Sequence, residues 1–280
     1  MNKRPAAMSS RLRLGTALIL PLALASPAAF AEKSPALDRV SIWLGGYYTT
    51  NDTTIGASDP SGQFYGNINL EKDLSFDKHK TEPRARLDFL IGDHQGFSFD
   101  YYSLNREHSR SISDSLTYGG NVYNASAKVN GKLNFDFGSA AYRWWFGEGN
   151  DVFGLGIGAA YYRVDAHVSG MASLNGQSVQ ASSDYSDSAW APQLQVGWRH
   201  AFNDQWRMYF DASGVKKNGG NLNGKIYNAA LGMEWFPWQN VGLGAEYSYG
   251  RIKLNDNQSH YLANLDMKVN GPSLFLRMRF

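Results

Sequence analysis

The sequence predicts an all-β protein, an antiparallel up-and-down β-barrel that crosses a membrane with its strands and turns their apolar face outward. Three observations predict it. Ten segments alternate apolar and polar residues with a period of two, the pattern of strands with one apolar face. Short turns alternate with long polar segments along the chain, the layout of a membrane barrel whose two rims differ. Aromatic residues gather at segment ends, where an interface that is apolar on one side and wet on the other would hold them.

The first residues read as an address rather than as fold. Lys3, Arg4, Arg11 and Arg13 make a basic head, 14–25 is an apolar run, and 27–31 supplies a small-x-small site with cleavage expected after Ala31. The apolar run is about a dozen residues, short of the roughly 20 that a spanning helix needs. The expected organisation is therefore a cleaved signal peptide, 1–31, and one β-barrel domain, 32–280. The leader has four basic and no acidic residues, so its removal turns 27 basic against 25 acidic into 23 against 25. No basic excess remains to favour a nucleic-acid partner. Cysteine is absent, which excludes a disulfide scaffold in an exported chain.

The first expected strand is 39–50, with Val40, Ile42 and Leu44 on one face. The second, 83–91, sets Ala85, Leu87 and Phe89 against Arg84, Arg86 and Asp88. The third, 96–105, turns Phe97, Phe99 and Tyr101 outward and Ser98 and Asp100 inward. The fourth, 125–146, changes phase between Phe137 and Tyr142, which suggests a bulge. The fifth, 152–165, opposes Phe153, Leu155 and Ile157 to Gly154, Gly156 and Gly158. These glycines alternate inside a strand and open no helix. They ease inward crowding and form no nucleotide loop.

The sixth, 188–202, places Arg199 on the polar face, and the seventh, 206–214, places Arg207 and Asp211 there. The eighth, 225–236, carries Glu234 inward, and the ninth, 241–254, carries Glu246. The tenth, 271–280, opposes Leu274, Leu276 and Met278 to Phe275, Arg277 and Arg279.

Between these strands lie short turns at 93–95, 147–151, 203–205 and 237–240. Long polar segments lie at 51–82, 106–124, 166–187, 215–224 and 255–270. Trp144, Trp145, Trp198, Phe202, Trp206, Trp235, Phe236, Trp238 and Phe280 fall beside short turns or the C-terminus and suggest one belt. Tyr47, Tyr48, Tyr101, Tyr161, Trp190, Tyr247 and Tyr249 suggest a second. Both ends of such a barrel lie on one side, so the strand number is even. Ten is the expected number, with eight and twelve as alternatives. Segment 62–76 also has extended character, and parity assigns it to the first long loop as a hairpin above the membrane.

The final run, Ser273-Leu274-Phe275-Leu276-Arg277-Met278-Arg279-Phe280, resembles the C-terminal insertion signal of Gram-negative outer-membrane β-barrels, an alternating strand with a terminal aromatic. The resemblance implies an outer-membrane location and recognition by the barrel-assembly machinery through Phe280. It also implies outer-membrane lipid and lipopolysaccharide as surroundings. It names no subfamily. Ten strands are shared with the omptin proteases, but their catalytic motifs have no match here.

Two functional readings stay open. The first is a non-enzymatic barrel with a structural, surface-binding or narrow-pore role. Its expected lumen charges are Arg84, Arg86, Asp88, Asp100, Arg199, Arg207, Asp211, Glu234, Glu246, Arg277 and Arg279. Enclosed charges must be paired or wet, so they form either a filling ion-pair network or a selective lining. The second reading is an enzyme acting on lipid A, phospholipid or peptide at the outer surface. Asp165 and His167 are its weak candidates, because residues two apart on a strand share a face. His108-Ser109 and Ser259-His260 are adjacent pairs and point to opposite faces. No histidine-carboxylate spacing recommends a metal, and no cofactor or surface ligand is indicated.

Overall fold

A computed structural model describes residues 34–58, 65–118, 121–174, 177–220, 222–257 and 262–280. The expected leader lies outside the described residues. The chain forms β1 (Val40–Ser58), β2 (Tyr65–Asn69), α1 (Leu70–Asp73), β3 (His79–Leu90), β4 (Gln95–Tyr118), β5 (Asn121–Phe146), β6 (Asp151–Leu174), β7 (Gln177–Ala201), β8 (Trp206–Lys217), β9 (Leu222–Trp235), β10 (Val241–Asn257) and β11 (Leu262–Arg279). All pairings are antiparallel. β3 to β11 run as neighbours in chain order, β1 joins β3, and β1 also pairs with β11, Ile42 opposite Met278. Ten strands thus close the barrel. The short β2 pairs with the far end of β1, Thr54 opposite Asn69, beyond the reach of β3.

Alternation decides the walls. Leu155, Ile157, Leu194, Leu231, Leu243 and Leu274 are all more than half exposed and point away from the lumen. In water such a surface would aggregate; in hydrocarbon it is the favourable one. Phe202, Trp206, Trp235, Trp238 and Phe280 are exposed at one rim, and Tyr48, Tyr101, Trp190, Tyr247 and Tyr249 are exposed further up. These are the two expected belts, less three members. Tyr47, Trp145 and Phe236 are buried inside, because each stands in the inward phase of its segment. Tyr161 and Trp198 are partly buried.

Three expectations change. The strand ends beside the short turns lie within a residue of their expected places, but the other ends run on. β4 runs past the expected end at 105 to Tyr118, and β7 begins at Gln177 rather than at the expected 188. Above the membrane both faces of a strand are wet, so the polar sequence reads as loop while the ladder continues. The phase change in β5 is no bulge either. Its pairing with β4 and β6 is continuous from Ala125 to Trp144. What changes is the interior: Leu133, Phe135 and Phe137 point inward, while below them Trp144 and Phe146 point outward. Finally, 65–76 includes the expected strand pairing, but the segment folds down onto the lumen. Leu70, Leu74 and Phe76 join one buried cluster with Leu133, Phe135, Ile226 and Met267.

Candidate functional site: the barrel interior

The interior is built in three layers, named here from the rim that carries Trp206 and Trp235. The lowest layer forms around 34–38, which folds into that rim. Ala36 and Leu37 are buried against Trp145, Val152 and Ala201. Asp38 accepts hydrogen bonds from Arg207 on β8 at 2.9 Å and from Arg277 on β11 at 2.7 Å. Arg277 also pairs with Glu234 on β9. Burial pushes the Asp38 carboxyl up, but Arg277 and Arg207 together hold it below its ordinary value. Arg279 lies over the Phe236 ring at 3.8 Å and donates to the carbonyls of Gln239 and Asp204 at the rim.

The middle layer gathers side chains from six strands. Asp211 accepts from Arg199 at 2.8 Å and from Arg86 and Arg143 at 3.1 Å each. Arg84 bridges Asp100 at 2.9 Å and Glu246 at 2.7 Å. Tyr209 donates its hydroxyl to Glu246 at 2.7 Å. Arg143 also donates to Gln195 at 2.6 Å, and Gln195 to Gln193 at 3.0 Å. Asp88 is half-buried in the same phase as Arg84 and Arg86. A cavity of about 60 Å³ lies between Arg84, Arg143, Gln193, Ser139 and Asn228, with Phe137 and Ile252 on its apolar side, room for a few waters.

The large rings of this layer fit because glycines face them. A β-carbon on Gly232 would stand 2.3 Å from the Tyr209 ring, and one on Gly154 would stand 2.8 Å from Trp145.

The upper layer is apolar. Tyr102, Leu104, Phe135, Phe137, Tyr162, Ile226, Ile252 and Met267 fill it from the wall, and 70–76 covers it. One ion pair fixes this cover. Arg106 on β4 pairs with Glu71 at 2.5 Å and also donates to the Thr53 hydroxyl and the Asp77 carbonyl. The other Glu71 oxygen accepts the Thr53 amide at 2.7 Å.

The expected lumen charges therefore fall into two groups. Asp38 ties Arg207 and Arg277 to the lower plug. Glu234 and Arg279 belong to that lower group, Arg84, Arg86, Asp100, Arg199, Asp211 and Glu246 meet in the middle, and Asp88 stands between the two. Sequence reasoning missed Asp38 and Arg143. Arg143 follows from counting back in strict alternation from the outward Trp144 and Phe146. Asp38 is signalled by the imbalance of Arg207, Arg277 and Arg279 against Glu234 alone.

The candidates of the enzyme reading lie on the outer wall, above the apolar belt. Asp165 receives Arg163 at 2.8 Å and the Ser186 hydroxyl at 2.5 Å. His167 lines a different recess with Glu107, Ser109, Lys132 and Ser169. Ser109 donates to Asn130 at 2.6 Å. The two candidates thus stand in separate surroundings, Asp165 with Arg163 and Ser186, and His167 with Glu107 and Ser109. Ser259 and His260 lie outside the described residues, and among the described residues no group of three metal-ligating side chains occurs.

No protein-family model matches the chain, and no curated protein matches it by sequence. Solved structures do resemble it. The outer-membrane protease OmpT of Escherichia coli aligns with a TM-score of 0.53 at 10% identity, covering 86% of this chain and 96% of that one. The fold is that of a Gram-negative outer-membrane β-barrel. Its apolar outer wall and its closure place the chain in the outer membrane. The translocator domain of the autotransporter NalP of Neisseria meningitidis aligns at 0.45 and 12% identity, over 86% of this chain and 88% of that one. OprG of Pseudomonas aeruginosa aligns at 0.39 and 8% identity, over 89% and 100%. These two looser likenesses carry no weight.

Proposed function

We propose that this outer-membrane barrel is non-enzymatic and closed to solutes, with a structural and surface-binding role. One observation carries the reading: described side chains occupy the interior at every level. A diffusion pore needs a continuous wet path, and an ion-selective one a surplus of one charge on its wall. Here four guanidiniums (Arg84, Arg86, Arg143, Arg199) pair with or surround three carboxylates (Asp100, Asp211, Glu246), and Asp88 stands one inward rung below Arg86, so neither sign is left in clear surplus. Above them the fill is apolar and covered by 70–76. What projects beyond the membrane is a collar of extended strands, chiefly β4 to β7. Such a collar offers surface, and Asp165 on it is already engaged by Arg163 and the Ser186 hydroxyl.

Planar-bilayer recording of the refolded full chain tests this. No unitary conductance steps are expected. Stable steps of reproducible size would overturn the closed-lumen reading. Hydrolysis of phospholipid or peptide by the same preparation would overturn the non-enzymatic one.

A further inference from the structure

The outer wall of β8 to β11 carries an unusual row of cations. Lys216 on β8 lies directly opposite Lys225 on β9, and Lys225 directly opposite Lys253 on β10. All three are exposed and alternate with the buried Val215, Ile226 and Ile252, so all three point away from the lumen. One rung below, Arg251 lies opposite Lys268. Like charges directly opposite on neighbouring strands are destabilising. Asp266 answers Arg251 at 2.9 Å and Lys253 at 3.3 Å, and Asp52 answers Lys268 at 3.3 Å. Among the described residues no carboxylate pairs with Lys216 or Lys225. Five cations thus stand against two anions. On β6, by contrast, Arg163 is answered by Asp165 at 2.8 Å.

Height identifies what faces the row. Trp206, opposite Trp235, marks the lower belt. Lys216 lies ten residues further along β8, about 33 Å at the usual strand rise. At the usual strand tilt this is about 25 Å along the barrel axis, the height of the apolar band of such barrels. The exposed Tyr227, Tyr247 and Tyr249 lie just below. The lysines therefore enter the headgroup layer of the outer leaflet. The matching ligand has acyl chains for the wall below and negative charge above. Lys216 to Lys253 spans two strand spacings, about 10 Å, which a headgroup with a single phosphate does not fill.

We propose that the outer wall of β8 to β11 binds a multiply phosphorylated glycolipid of the lipid A class, with Lys216 and Lys225 receiving its phosphates. The row is then a ladder of like charges held apart by its ligand's anions. This holds whether or not the lumen conducts.

The test compares the refolded full chain with K216S/K225S in micelles free of lipopolysaccharide, and then with lipid A added. The double variant should be at least as heat-stable as the parent without lipid A, because repulsion is relieved. Lipid A should stabilise the parent and bind at least tenfold more weakly to the variant, while K216R/K225R retains binding. Phosphatidylglycerol and inorganic phosphate should bind the parent at least tenfold more weakly than lipid A. Equal lipid A binding by parent and K216S/K225S would overturn the proposal. So would equal binding of phosphatidylglycerol or inorganic phosphate, which would make the row a general anion patch. If the double variant does not fold, K225Q with the same ligands gives the same two outcomes.

Discussion

Asp211 is where three guanidiniums meet, Arg143 at one carboxylate oxygen and Arg86 and Arg199 at the other. Asp211→Asn keeps the shape and removes the charge that Arg86, Arg143 and Arg199 share. Breaking a buried ion pair by neutralising one partner costs about 3–5 kcal/mol, so urea unfolding in micelles should show a loss of that order. A loss under about 1 kcal/mol would mean that cavity water screens the cluster. Asp38 gives a pH-dependent counterpart. Its carboxyl is held below its ordinary value by Arg277 and Arg207 against the effect of burial. A depressed carboxylate contributes stability above its unfolded value of about 3.9, which is lost as pH falls through the folded value. Protection of the amides at 36–38 against exchange, taken relative to their intrinsic rates, should therefore fall selectively on acidification, and Asp38→Asn should bring the same loss of protection at neutral pH. Most of these charges were legible, because an arginine or carboxylate opposite an apolar neighbour on a strand has one place to go. Asp38 was not, since it precedes the first strand and carries no periodicity.

At the scale of elements the sequence speaks through contrast between faces, and it falls silent where the contrast disappears. The lower halves of β6 and β9 set leucine and isoleucine against glycine or a charge, and their lower ends are legible to a residue. The collar strands are polar on both faces, and in β5 the apolar residues pass from the outer face to the inner one as the lumen changes from ionic to greasy. Segment 65–76 has the same ambiguity. Leu70, Leu74 and Phe76 have no strand period, and their burial depends on a wall that comes later in the chain. The segment is held through Arg106, which reaches Thr53, Glu71 and the Asp77 carbonyl. Arg106→Ala leaves the Glu71 carboxylate without its guanidinium partner, and the cover should loosen while the ten-strand ladder stays closed. Limited proteolysis should then cut within 65–78 several times faster than in the parent, with unchanged heat-modifiable migration. Loss of that migration would show that the cover is part of the barrel's stability.

For the whole molecule, the claim that matters is which wall faces what. A soluble barrel and a membrane barrel share the period of two and differ in the hand of closure. Here the interior holds the charges and the exterior holds Leu155, Leu194, Leu231 and Leu274. Depth makes this testable in a way that a soluble surface cannot imitate. Leu231 lies opposite Phe210, four residues up from Trp206 on β8, near the middle of the belt. Leu243 lies opposite Trp235, on the lower aromatic rung. Both leucines are more than half exposed, so in water Arg at either site would be neutral or improve solubility. In a bilayer, Arg at the midplane costs about 2–4 kcal/mol and near the interface about 0–1. Leu231→Arg should therefore destabilise the barrel in lipid vesicles by several times as much as Leu243→Arg. Equal and negligible effects would mean that this wall faces water, and the membrane assignment would fall with them.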